Sequence, residues 1–196
     1  MSDFTAIRGV TRTLRSILRQ HITDDTAPQL SNIEIDLRSP KEMREEDIRG
    51  ISLWLYRVSR NEHVMNQAPQ RVAADQIARH PLPMNLYYLI TPFTSDPEDE
   101  QALLGRVLQT FSDHGTLRGS DLQDSLLGGI EELRVTLEQL TLEELTRIWH
   151  SLQEPYQLSV TYVVQLISID SAHAPVRSSP VQVRESMYAQ ILENRP

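Results

Sequence analysis

Apolar residues recur at helical spacing from the start of the chain. Phe4, Ile7, Val10, Leu14, Ile17, Leu18 and Ile22 fall on one face of a helix over residues 3–22. Between Asn32 and Arg38 the period drops to two. Ile33, Ile35 and Leu37 face one way, and Glu34, Asp36 and Arg38 the other, which predicts a half-buried strand. The charged stretch SPKEMREEDIRG reads as a connector. ISLWLYRV, residues 51–58, is apolar on both faces, the pattern of a central strand. Residues 59–80 lack periodicity and read as a long loop with at most a short helical turn. Residues 85–91 predict a strand entered through Pro81 and Pro83 and stopped by Pro92, because proline cannot donate to a ladder. Ser95 to Glu98 reads as a capping box. It opens a helix through Ala102, Leu103, Leu104, Val107, Leu108 and Phe111 that ends near Gly115.

A turn-rich patch follows. Residues 134–140 alternate Val135 and Leu137 with Thr136 and Glu138, so they predict another strand. Thr141 to Glu144 is a second capping box, opening a helix through Leu142, Leu145, Ile148, Trp149 and Leu152 that stops before Pro155. Residues 158–170 are β-branched and alternating, hence a long strand. Residues 171–180 read as a loop, and Val181 and Val183 suggest a last short strand. The order α-β-β-β-α-β-α-β gives an α/β (α+β) fold: a single mixed or antiparallel sheet of about five strands covered by about three helices.

At 196 residues, one domain over 1–196 is expected. Without cysteine there is no disulfide or thiolate metal site. The first residues lack the apolar core of a signal peptide, and no apolar run approaches the roughly 18 residues of a membrane span. A net charge of −8 argues against a nucleic-acid partner. The charge is unevenly spread. Residues 1–80 carry 12 basic and 11 acidic side chains, residues 81–196 carry 7 and 16, so one half can attract the other half of a neighbouring copy. Arg8, Arg12, Arg15 and Arg19, spaced 4, 3 and 4, form a second stripe on the first helix, with no acid at a partner spacing among residues 9–23. Two readings of the stripe stand: a solvated face, or a docking face for an acidic surface.

Catalytic signatures do not appear. The histidines at 21, 63, 80, 114, 150 and 173 include no i, i+4 pair and no HExxH, and there is neither a GxSxG nor a phosphate-cradling GxxxxGK. Gly128-Gly129 reads as a turn. The adjacent carboxylates Asp24-Asp25, Glu45-Glu46 and Glu143-Glu144 sit in polar contexts, not in the contrasting environments of an acid/base pair. Trp54, Tyr56, Tyr87 and Tyr88 read as core or interface packing. No catalytic, cofactor-binding or metal-ligating residue is singled out.

Four phrases add more. LYRVSRNEH from Leu55, PLPMNLYYLITPF from Pro81, LLGRVLQTFSDHGTL from Leu103 and LTLEELTRIWHSLQEPYQLSVTYVVQLISID from Leu140 occur in this order. Together, over roughly residues 5–185, they resemble the N-terminal domain of the tail-cap (terminator) proteins of contractile injection systems. The resemblance implies a fold like that of phage tail terminators and a structural, non-enzymatic role. It implies a homohexameric ring on the end of the inner tube away from the baseplate, which stops tube growth and anchors the last sheath ring. The implied partners are further copies of the chain, the inner tube protein and the sheath protein, with no cofactor, no nucleic acid and no membrane insertion. Assembly in the cytoplasm into a particle, released or membrane-anchored, follows from the same resemblance. In that setting the arginine stripe would face the acidic half of the next subunit or the tube rim. Residues 61–80 are expected to order on assembly, and the tail after about 185 to be flexible. The alternatives are a phage tail terminator or head–tail connector, or an enzyme whose site forms only in space.

Overall fold

The computed structural model describes residues 3–23, 33–64, 71–73, 75–129 and 131–177. The chain runs through α1 (Ala6–Leu18), β1 (Glu34–Asp36), α2 (Pro40–Glu45), β2 (Gly50–Arg60), β3 (Arg71–Ala73), β4 (Gln76–Ile77) and β5 (Leu82–Phe93). It continues through α3 (Pro97–Asp113), β6 (Thr116–Arg118), β7 (Glu132–Glu138), α4 (Leu142–Ser151), β8 (Val160–Ile169) and β9 (Val176–Arg177). Six strands form a mixed sheet in the order β1-β2-β5-β8-β7-β6, parallel only at β1–β2. A separate small sheet has the order β3-β4-β9.

The architecture is the expected α+β sheet under helices, with differences that have physical reasons. The main sheet has six strands because β6, only three residues long, is too short to show a period. The stretch after β1 is not a plain connector. Ser39 caps α2 in a reciprocal box with Glu42; the helix buries only Pro40, in its first turn, and Met43, too few positions to make an apolar stripe. Residues 59–80 do contain a short helical turn, at Glu62–Val64, but the strands β3 and β4 also occupy part of the stretch, so it is not one long loop. Residues 65–70, the valines at 181 and 183, and the tail after 185 lie outside the described residues. Helix α3 is capped by Asp96, whose carboxylate accepts from the Glu98 N–H at 2.9 Å, one residue later than the Ser95 box predicts.

Pro81 stands just before β5, as expected, but Pro83 and Pro92 lie inside it instead of bounding it. Pro92 pairs in register with Ile51, and its carbonyl accepts from Gln157 Nε2 at 3.0 Å on the β8 side. In a strand a residue's N–H and C=O point the same way. The missing donor of Pro92 therefore falls where β8 pairing has already ended at Val160. Pro83 accepts from the Asn61 N–H at 2.9 Å but cannot return the second bond, so the β2 ladder closes there.

Helices α1 and α3 cover one face of the sheet. Val10, Leu14 and Leu18, with Leu103, Val107 and Phe111, pack on Leu53, Leu86, Tyr88, Ile90, Tyr162 and Val164. The Phe111 and Tyr162 rings meet edge-on with centroids 4.9 Å apart. Phe4, placed on the apolar stripe by spacing, is 83% exposed, because α1 begins only at Ala6. On the opposite face Trp54, Tyr56 and Tyr87 form a half-buried aromatic row. The Tyr56 hydroxyl donates to Glu138 at 3.0 Å. Those residues sit on β2 and β7, with β5 and β8 between them. Strands lie about 4.8 Å apart, so the sheet must curl toward this face to close that distance.

The register places the start of β2, the end of β5, the start of β8 and the end of β7 at one end of the sheet. Here α2 packs on β2 and β5 through the buried Met43, α3 packs on β5, and Arg44 of α2 reaches Glu154 just after α4, whose Trp149 is buried. The β1–α2 corner is tied by Asp36, which accepts from the Arg38 N–H at 2.8 Å and from its guanidinium at 2.9 and 3.0 Å. These bonds hold the Asp36 carboxyl below its ordinary pKa. A lowered carboxyl pKa contributes stability above the unfolded-state value, and that contribution is lost as pH falls through the folded value. As pH falls below about 4, protection of the Arg38 amide from exchange should therefore drop in the parent and change less in Asp36→Asn. An unchanged pH response in that variant would refute the assignment.

Candidate functional site

The arginine stripe is built on the exposed side of α1, opposite the face buried through Val10, Leu14 and Leu18. The structure does not use its four members alike. Arg8 Nε and Arg12 Nη1 both donate to the same oxygen, Oδ2 of Asp124, at 2.7 and 3.1 Å. Asp124 lies on the tight turn Asp124–Leu126, with a positive φ of 58° that Asp tolerates better than most side chains.

The turn is seated on α1 by two further contacts. The Thr13 hydroxyl accepts from the Gln123 N–H at 3.0 Å and donates to the Gly9 carbonyl at 2.9 Å. A Cβ added at Gly9 would stand 3.0 Å from Leu126 Cγ, so glycine there lets Leu126 approach the helix. Arg8 and Arg12 thus clamp a loop. Helix spacing could not disclose this, because the acid lies more than 110 positions away in sequence.

Arg15 donates through Nε to the Ile35 carbonyl at 2.8 Å, satisfying a backbone acceptor on the edge strand β1. Its bond is to a neutral oxygen. Arg19, the C-cap just beyond α1, donates its backbone N–H to the Arg15 and Ser16 carbonyls, while its guanidinium has no hydrogen bond or ion pair among the described residues. Arg12, Arg15, Ser16, Arg19 and Gln20 line an open depression of about 420 Å³. The stripe thereby divides into a half paired with Asp124 and a half, Arg15 and Arg19, that makes no ion pair with a carboxylate among the described residues, although Arg15 lies near enough to Asp36 to help lower its carboxyl pKa. Replacing all four arginines would accordingly also release the Asp124 turn, which a purely solvated stripe would not do.

A second depression, of about 320 Å³, lies between Met43, Arg44, Arg49 and Phe93 at the α2 end of the sheet. Arg44 there is engaged by Glu154 at 2.6 Å and Gln157 at 2.7 Å. Among the described residues no three His, Cys, Asp or Glu side chains are grouped to hold a metal ion. Two of the six histidines do meet: the His21 and His114 rings lie 4.6 Å apart, joining the end of the first helical segment to the end of α3. Tyr162 is pushed up to about 12 by burial, and Tyr56 is raised by burial and by Glu138. Such phenols stay protonated and act as packing and hydrogen-bonding groups.

The model of the Pvc16 N-terminal domain family matches residues 9–183. The chain belongs to that family. Its fold is shared with the sheath/tube terminator of PVC, an extracellular contractile injection system, in the extended state. That match has a TM-score of 0.66 and 18% identity, over 98% of this chain and 66% of that one. It is also shared with the tube-terminating cap of the anti-feeding prophage, at a TM-score of 0.61 and 18% identity, over 91% of this chain and 60% of the cap. The chain thus spans less than two thirds of each of these two terminators. No curated protein matches it in sequence. No helix among the described residues is long and apolar enough to cross a membrane.

Proposed function

We propose that this chain is a structural cap of a phage-tail-like contractile injection particle. It forms a ring that ends the inner tube and holds the last ring of sheath. The observation that carries this reading is the likeness of 98% of the chain to a sheath/tube terminator. Family membership over residues 9–183 supports it. Its partners are other copies of itself, the tube protein and the sheath protein, and its assembly takes place in the cytoplasm. It works by geometry and not by catalysis, which agrees with tyrosines and carboxylates used for packing, capping and ion pairing. On the arginine face of Arg8, Arg12, Arg15 and Arg19, the open Arg15 and Arg19 are its docking surface for an acidic neighbour, while Arg8 and Arg12 hold the Asp124 turn beside them. A single domain over residues 1–196 carries these contacts.

The test is electron microscopy of particles from producing cells with the gene present or deleted, with the chain carrying a gold-binding tag. The expected result is label at one end only, opposite the baseplate, and tubes of uneven length without the chain. Label spread along the particle, or unchanged tube lengths after deletion, would overturn the reading.

A further inference from the structure

Two places on the molecule concentrate charge of a single sign. On α1, Arg15 keeps its terminal nitrogens open and the Arg19 guanidinium is wholly open; residues 6–22 contain no acid. At the sheet end described above, residues 94–100 carry four carboxylates and no cation, and residues 138–154 carry four carboxylates and one arginine.

Most of those acids are occupied. Asp96 caps α3, Glu100 accepts from the Thr94 N–H and from Gln157, Glu138 accepts from Tyr56, Glu143 pairs with Arg147, Glu144 closes its capping box, and Glu154 holds Arg44. Glu98 and Asp99, in the first turn of α3, have no side-chain partner among the described residues. Neither pairs with an arginine of α1, although α3 reaches the segment that follows α1: Arg106, two turns further along α3, donates to the His21 carbonyl at 3.0 Å.

We infer that the depression lined by Arg12, Arg15, Ser16, Arg19 and Gln20 receives the first turn of α3 from a second copy of this chain, with Arg15 and Arg19 meeting Glu98 and Asp99. Two different patches of one molecule then meet head to tail, a heterologous contact that repeats from copy to copy. Guanidinium forks suit carboxylates, and the contact removes the mutual repulsion of the open arginines. Arg8 and Arg12 keep the Asp124 turn in place beside the depression. The setting, a ring on a tube end, rests on the terminator reading; the contact itself does not require a tube.

Because the chain lacks cysteine, a disulfide map is clean. Arg19→Cys and Glu98→Cys are placed together in one chain and separately in two. Each is oxidised both as purified protein at up to roughly millimolar concentration, to favour weak association, and in purified particles. The expected result is a ladder of cross-linked multimers from the double variant, and a dimer and nothing larger from the mixed single variants. Adding Arg15→Glu should lower the yield more than about tenfold, since like charges then face each other. Raising salt to about 0.5 M should lower it as well. Absence of cross-linked species from both purified chain and particles overturns the contact, as does a yield indifferent to Arg15→Glu. Micrographs of the same particles keep the two ideas apart: a capped tube end without cross-links retires the contact and leaves the terminator reading intact.

Discussion

Gly50→Ala is expected to lower the melting temperature by roughly 6–12 °C, corresponding to about 3 kcal/mol of overpacking in a chain of this size. Gly50 is the first residue of β2 and pairs with Glu34 of the edge strand β1. A Cβ built on it would lie 2.3 Å from the Glu34 carbonyl oxygen and 3.1 Å from its carbonyl carbon. Both obstacles are backbone, so no side chain can swing away. The added methyl must push β1 off the sheet, exposing Ile33 and Ile35, which are buried at 1% and 0%. Gly105→Ala is the matched control. The same atom added to the middle of α3 meets nothing within 4 Å, and alanine favours a helix over glycine by about 1 kcal/mol. Thermal melts of the two variants should therefore move in opposite directions. A loss at Gly50 no greater than about 1 kcal/mol would mean that β1 yields without cost.

Trp149→Ala should cost about 3–5 kcal/mol, and the loss should be concentrated in one part of the molecule. Trp149 is the only fully buried side chain of α4. Leu142 is 65% exposed, and Leu145 and Ile148 are only half-buried. The indole also donates to the Ser159 hydroxyl at 3.2 Å and meets Tyr156 edge-on at 6.3 Å. With one anchor removed, α4 retains its capping box but little that holds it against the sheet. Amide exchange should show α4 losing protection while α1 and α3 keep theirs. Trp149→Phe should lose less, since it keeps the packing and gives up the hydrogen bond. Uniform loss of protection across all helices would show that α4 belongs to the main cooperative core.

Local chemistry made much of this fold readable. The Thr141 capping box starts α4 where its spacing predicts, and the alternation of residues 158–170 becomes β8. Elements with too few residues to establish a period were not readable: β6, β3 and β4 have three, three and two residues. The penalty of a proline depends on whether its nitrogen faces a paired strand, and at Pro92 that nitrogen faces a neighbour that has ended.

The candidate site divides along the same line. Sequence alone determined that α1 presents four arginines on one side, because residues three and four apart share a helix face. It also determined that the acids concentrate in the second half of the chain, and it supplied the phrases that resemble tail caps. Only the tertiary structure decided which arginines are still open. Asp124 reaches Arg8 and Arg12 from a turn between β6 and β7, and the Ile35 carbonyl reaches Arg15 from the edge of the sheet. Ion pairing acts over a few ångströms in space and is blind to separation along the chain. A charge stripe can therefore be read from spacing, while its occupancy is settled by what folding brings beside it.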